Sequence, residues 1–428
     1  MRLYSEKESY KLYQGSMLDL LEVIEKATID CIITDPPYEL NFMGKGWDNA
    51  GVSFNKDTWK KCFEVLKDGG YLLAFGGSRT YHRIACAIED AGFEIRDCIM
   101  WLYGSGFPKS MNIGLAIDKK NGVESEVIGN GKSGVSSRAF QSEETTTAGE
   151  YEIKKANNEW QGWGTCLKPA YEPIIIARKP FKGSLVDNVI KNGVGGLNID
   201  ECRVGTNEDI KVHNYTQDSG IYGKYNTNIE EHSTNLGRFP ANVIHDGSDE
   251  VCEGFPNTKG NGNVRKNKNN GKGYNCYSNY GDCETRGYED SGSASRYFYC
   301  AKASKKDRDE GLTEFESKTV NDGRQKSIDN AFQRGETLRK NTHPTVKPTE
   351  LMQYLVRLVA PKGSTILDPF NGSGSTGKAV MYENKERNAN YKYIGIELTE
   401  EYLPIAAARI EHVTNLKEKV EKFEQLTF

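Results

Sequence analysis

No stretch of the 428 residues holds the roughly 18–20 consecutive apolar side chains of a membrane span. The opening residues, MRLYSEKESYKLYQGS, are polar and lack the apolar stretch of a signal peptide, so a cytoplasmic protein is expected. An excess of one charge is also absent: 56 Lys and Arg stand against 60 Asp and Glu, a net charge of −4. That balance neither requires nor excludes a nucleic-acid partner, because a basic face can coexist with an acidic remainder. The ten cysteines form no C-x-x-C pair. In a cytosolic chain they read as reduced, mostly buried thiols. The spacing of Cys252, Cys276, Cys283 and Cys300 matches no common zinc pattern, so no metal is expected.

What the chain does have is α/β periodicity at both ends. IDCIITD (29–35), YLLAF (71–75) and CIMWL (98–102) read as buried strands, and 56–67 and 78–90 have helical spacing. From about 120 to 300 the pattern dissolves: a flexible loop is expected over about 120–160, then the strand EPIIIARKP (172–180), then a Gly-, Asn-, Ser- and Tyr-rich stretch. After about 341 the alternation returns: a helix with Thr349 as N-cap, a strand ending at Leu367, a glycine loop, a second helix, the strand 391–398 and a final helix from about 399. These read as halves of one sheet, over 1–182 and 297–428, split by an irregular insertion over 183–296.

The glycine loop TILDPFNGSGSTGKAVMYEN (365–384) fits G-x-G-x-x-G and comes within one residue of a P-loop. The P-loop reading fails on chemistry, since Ala379 stands where a magnesium-binding hydroxyl is required. Strand, tight turn and helix bring helix-terminal amides toward an anion, and Glu397, 20 residues after Gly377, is spaced to accept ribose hydroxyls. An adenosine cofactor and a dinucleotide satisfy this pattern equally.

IDCIITDPPYEL (29–40) places Asp35, Pro36, Pro37 and Tyr38 at the end of a buried strand. An aromatic amine is a poor nucleophile because its lone pair is delocalised. If the Asp35 carboxylate and the Pro36 carbonyl each accept one N–H, the nitrogen can pyramidalise toward a methyl sulfonium. The Pro-Pro pair stiffens the turn and supplies no competing N–H. Tyr38 offers a face on which a flipped base can stack.

With these two motifs in this order, the chain resembles the DNA amino-methyltransferases whose D-P-P-Y precedes F-x-G-x-G, a class found in bacteria and phages. The match extends to GSGFPKSMNIG, GRFPANVI, SRYFYCAK and HPTVKP. The resemblance implies a seven-stranded, mostly parallel Rossmann-like methyltransferase sheet with helices on both faces. It implies an S-adenosylmethionine site lined by Phe370, Gly372 and Gly374, with Asp368 at the strand end and Glu397 on the ribose. His343, Thr345 and Lys347 would close over the methionine end. The family usually carries an acid directly after the glycine of YQGSMLDLL; here Ser16 stands there and Asp19 follows, and either would serve near the adenine.

The Asp of the motif is similar to adenine-N6 enzymes, whereas cytosine-N4 relatives more often carry Ser, so adenine N6 in double-stranded DNA is favoured and cytosine N4 is the alternative. DNA contact is expected from KGNGNVRKNKNNGKGYNCYSNY (259–280), where Lys259, Arg265, Lys266, Lys268 and Lys272 occur with no acid. A homodimer and a separately encoded restriction nuclease are further expectations of the resemblance. An NAD-dependent oxidoreductase, a DNA-binding protein that has lost catalysis, and methylation of RNA or of a protein amide are the other readings.

Overall fold

The computed structural model describes residues 2–40, 48, 50–106, 110–132, 150–205, 210–213, 231–234, 237–259, 264–267, 283–286, 291–302, 304–320 and 337–426. Ten strands form the central sheet: β1 Arg2–Lys7, β2 Tyr10–Gln14, β3 Ile29–Thr34, β4 Leu66–Phe75, β5 Glu94–Leu102, β6 Tyr171–Arg178, β7 Val243–His245, β8 Tyr299–Cys300, β9 Thr365–Asp368 and β10 Lys392–Glu397. Their spatial order is β1-β2-β10-β9-β3-β4-β6-β5-β7-β8. All are parallel except β1 at one edge and β6, which runs antiparallel between β4 and β5. Both ends of the chain therefore build one sheet, with β9 of the C-terminal portion pairing directly with β3 of the N-terminal portion.

Helices α1 Met17–Leu21, α2 Lys56–Val65 and α3 Tyr81–Asp90 pack on one face. The opposite face carries α4 Lys305–Asp309, α5 Thr349–Val359, α6 Ser375–Arg387 and α7 Leu403–Leu426, of which α5 to α7 form its main core. A sheet covered on both faces buries both sides of its strands, and all six residues of β3 are buried, with Asp30 and Thr34 as its polar members, paired with Lys67 and Asp368. The same requirement explains the three isoleucines of β6. Ile174 and Ile176 enter one core, while Ile175 and Ala177 enter the other.

Three expectations need correction. The sheet has ten strands rather than seven, because edge additions escape periodicity: β7 and β8 have three and two residues, and β1 is largely exposed. The first residue of α5 is Thr349, not its cap; Pro348 holds the N-cap position. The Thr349 amide and hydroxyl instead donate to Asp307, at 2.8 and 2.5 Å, so α4 supplies the carboxylate that satisfies this helix end. Finally, only Cys31, Cys62 and Cys202 are buried among the eight cysteines whose side chains are described, so these thiols are not mostly in the core.

The middle of the chain is more regular than its composition suggests. Glu126–Lys132 and Glu150–Lys155 pair antiparallel within the range expected to be a loop. Ser184 caps a helix over Leu185–Asn192, accepting from the Asp187 amide at 3.1 Å. Among the described residues no helix is long and apolar enough to cross a membrane.

Trp59 anchors the α2 face: it is fully buried, donates from its indole to the Ser53 carbonyl at 2.9 Å, and tilts against Phe370 with ring centroids 6.5 Å apart. Trp59→Ala is expected to cost about 3–5 kcal/mol, read as a lower denaturant midpoint for the sheet domain.

Candidate functional site

The two sequence motifs leave the carboxyl ends of neighbouring parallel strands, since Ile366 and Leu367 of β9 pair with Cys31 and Ile32 of β3. At that edge the Thr34 hydroxyl donates to Asp368 Oδ1 at 2.6 Å. Asp368 also accepts from the Phe370 amide at 3.1 Å and from the Thr376 hydroxyl at 2.6 Å. Burial pushes its carboxyl up to about 6, against the pull of those three donors. Asp368 thus ties the end of β3, the glycine loop and the start of α6 together.

In the glycine loop, Gly372 and Gly374 adopt left-handed conformations, with φ of +52° and +74°. A side chain at Gly372 would sit 2.9 Å from His343 Nε2. Glycine is needed there for both reasons. Glu397, at the end of β10, accepts from the Gly372 amide at 2.7 Å and the Thr399 amide at 2.8 Å. Burial raises its carboxyl to about 7, although both amides oppose this. A carboxylate has about four lone-pair sites, so further acceptance from a diol is compatible with these bonds. Lys378, the residue that suggested a P-loop, is fully buried and paired with Asp307 and Glu310 at 2.6 and 2.7 Å.

Segment 343–348 spans from one motif to the other. His343 packs edge-on against Tyr402 at 4.5 Å, and its Nδ1 lies 2.6 Å from the Thr345 carbonyl. Burial holds its imidazole neutral, down to about 3. Thr345 is exposed. Lys347 reaches the other loop: its Nζ lies 2.7 Å from Asp35 Oδ2, 3.2 Å from the Tyr38 hydroxyl and 3.2 Å from Glu172 Oε2. Tyr38 in turn donates to Glu172 at 3.0 Å. Asp35 Oδ1 is buried with no hydrogen-bond partner among the described residues. Pro36 is buried and Pro37 half-buried beside it.

Glu172 was not singled out from the sequence. Only the strand direction reveals it: because β6 is antiparallel, its first residues lie at the edge where β3 and β4 end, with Phe75 paired to Ile174. A carboxylate at the start of a reversed strand is therefore delivered to the same edge as Asp35.

Ser16 caps α1, accepting from the Leu18 amide at 3.2 Å, and the neighbouring Gly15 amide bonds the Glu397 carbonyl at 2.9 Å. Asp19 lies in the first turn of that helix. Of the expected DNA-contact residues, Lys259 is exposed in a short strand, Asn257–Lys259. Arg265 and Lys266 lie in Val264–Asn267, which pairs with Cys283–Arg286. Lys268 and Lys272 lie outside the described residues.

The carboxyls of Glu397 and Asp368 bind protons more tightly in the folded chain than a free carboxylate does. Their contribution to stability is therefore complete below about pH 4 and is lost as pH rises through about 6 and 7. Glu397→Gln is expected to flatten the pH dependence of the thermal midpoint between about pH 5 and 7. A profile that falls across this window as steeply as that of wild type would show that Glu397 does not carry the effect.

Residues 29–408 match the DNA methylase family of N6 and N4 methyltransferases. The type II methyltransferase M.HindIII of Haemophilus influenzae is 24% identical over 178 residues, covering 39% of this chain and 48% of the relative. The type II methyltransferase M2.MboI of Moraxella bovis is 38% identical over 115 residues, covering 23% and 42%. The chain thus spans under half the length of these curated relatives. Among solved structures, an M1.HpyAVI complex with S-adenosylmethionine aligns over 94% of this chain and 99% of that one, with TM-score 0.37 and 14% identity. At that score the likeness carries no argument about chemistry. The match over most of its length makes this chain a member of the DNA methylase family of N6 and N4 methyltransferases, whose cofactor is S-adenosylmethionine.

Proposed function

We propose that the chain is a DNA methyltransferase that methylates the N6 amine of adenine within a short double-stranded sequence, acting on a base flipped out of the helix. The observation that carries this reading is the buried Asp35 Oδ1, without a hydrogen-bond partner among the described residues and held just after the strand that neighbours the glycine loop's strand. An acceptor in that state is costly unless a donor arrives, and an amine N–H is such a donor. The Pro36 carbonyl would take the second N–H, and the half-buried Tyr38 ring would support the base. The surplus proton of the methylated nitrogen leaves along the bond to Asp35.

The residues present fit S-adenosylmethionine. Two left-handed glycines open the loop, Phe370 stands beside it, and Glu397 ends the next strand. When bound, the cofactor supplies an electrophilic methyl group, which the amine lone pair takes while sulfur keeps the broken bond's electron pair. Glu397 would hold the ribose, Ser16 or Asp19 the adenine side, and His343 with Thr345 the methionine end. Asp368 would act by holding the loop. The nicotinamide reading leaves Asp35, Pro36, Pro37 and Tyr38 without a role.

The division into a catalytic half (1–182), a target-recognition region (183–296) and a cofactor half (297–428) belongs to the same proposal. So do a cytoplasmic location, a homodimer and a separate nuclease. Cytosine N4 is the second reading, because the family includes enzymes of both kinds.

Expression in a methylation-free host, followed by sequencing that separates N6-methyladenine from N4-methylcytosine, tests base and site together. One short motif modified at adenine is expected, with Asp35→Ala lowering the rate at least about a hundredfold while cofactor affinity stays within a few-fold. N4-methylcytosine instead would overturn the base assignment, and no modification at all would overturn the activity. For the DNA contact, neutralising Lys266 and Lys268 together should reduce the slope of log affinity against log salt by about 0.9 per cation. An unchanged slope would remove this segment from the phosphate contact.

A further inference from the structure

The resemblance placed Lys347 over the methionine end of the cofactor; its ammonium lies among Asp35, Tyr38 and Glu172. We propose that Lys347 and Glu172 together are the positioning pair of the acceptor carboxylate. Lys347 clamps Asp35 Oδ2 and the Tyr38 hydroxyl, which leaves Oδ1 as the one carboxylate oxygen facing the substrate amine. Glu172 offsets the lysine's charge, so the site keeps one net negative charge for the cation that amine methylation creates. This rests on the amine-methylation reading above.

The geometry supplies each part. Lys347 comes from the loop before α5, Asp35 and Tyr38 from the loop after β3, and Glu172 from reversed β6, so three separate elements converge on one ammonium. The lysine side chain is 7% exposed, whereas those of Asp35 and Glu172 are 20% and 21% exposed, so the cation is the most enclosed member. The rings of Phe75 and Tyr38 lie 4.8 and 5.4 Å from it and favour a cation over a neutral amine. Burial draws the Lys347 ammonium toward its neutral form, but the charges of Asp35 and Glu172 prevail and hold it protonated well above the usual lysine range.

A lysine paired with Asp35 alone would cancel the charge that the developing cation needs. A lysine shared with a second carboxylate orients Asp35 without neutralising it. Among the described residues, the other titratable groups facing this cluster are Tyr103 after β5, Asp368 at the end of β9 and the neutral His343. None of these supplies a second cation.

The test measures kcat against pH on unmethylated plasmid DNA, with cofactor affinity by calorimetry, for wild type, Lys347→Met, Lys347→Arg and Glu172→Gln. Without the ammonium, two enclosed carboxylates face each other and retain a shared proton to higher pH. Lys347→Met should therefore lose at least about tenfold in kcat near pH 6.5 and recover to within about threefold of wild type near pH 9. Lys347→Arg should keep the wild-type profile at a lower rate. Glu172→Gln should lose about tenfold in kcat and move the acid limb to lower pH, with cofactor affinity within about threefold. If Lys347→Met does not fold, Glu172→Gln alone decides, and an unmoved acid limb overturns the proposal. So does an equal loss for Lys347→Met at every pH. A rise of more than about tenfold in the dissociation constant for S-adenosylmethionine, with kcat unchanged, would place Lys347 at the cofactor and also overturn it. Failure of wild type to methylate any DNA would instead overturn the underlying activity.

Discussion

The bond from Thr34 to Asp368 joins residues separated by more than three hundred positions, and the site depends on what it enforces. Two parallel strands end side by side, one delivering a carboxylate with a rigid proline turn, the other a glycine loop. A buried carboxylate accepting three hydrogen bonds gains about 1.5–3 kcal/mol from each, enough to offset much of its desolvation. The residual cost shows in the upward displacement of its protonation to about 6. Asp368 is thus strained electrostatically but determined geometrically.

Segment 343–348 adds a second tie. His343 fills the space that a side chain at Gly372 would occupy, while Lys347, four residues on, sits on Asp35. Arg308 fixes this segment from outside by donating to the carbonyls of Asn341 and His343. Movement of the strap would therefore be felt at the glycine loop and at Asp35 together.

The fold class, the two motifs and their meeting at one sheet edge were legible in the sequence because each rests on local signals. Buried parallel strands are uninterrupted apolar runs, and the sharp turns after them require Pro or Gly. Three things were not legible. The short strands β7 and β8 have no periodicity to detect; they are stabilised by the edge of β5 and by each other. The cap of α5 comes from Asp307, 42 residues away, so no local pattern announces it. The partner of Lys347 depended on the direction of β6, which the residues of β6 do not encode by themselves. Reading β6 as a strand was correct, but only its reversed placement between β4 and β5 brings Glu172 to Asp35.

That reversal has one more consequence. Because β5 ends and β6 begins at the reactive edge, the chain between them, residues 103–170, leaves and returns at the mouth of the crevice. The Tyr103 amide donates to the Ala170 carbonyl at 3.0 Å, so the excursion starts and ends as a continuation of the β5–β6 ladder. The reversal therefore anchors both ends of a long excursion at the edge where Asp35 and Glu172 meet.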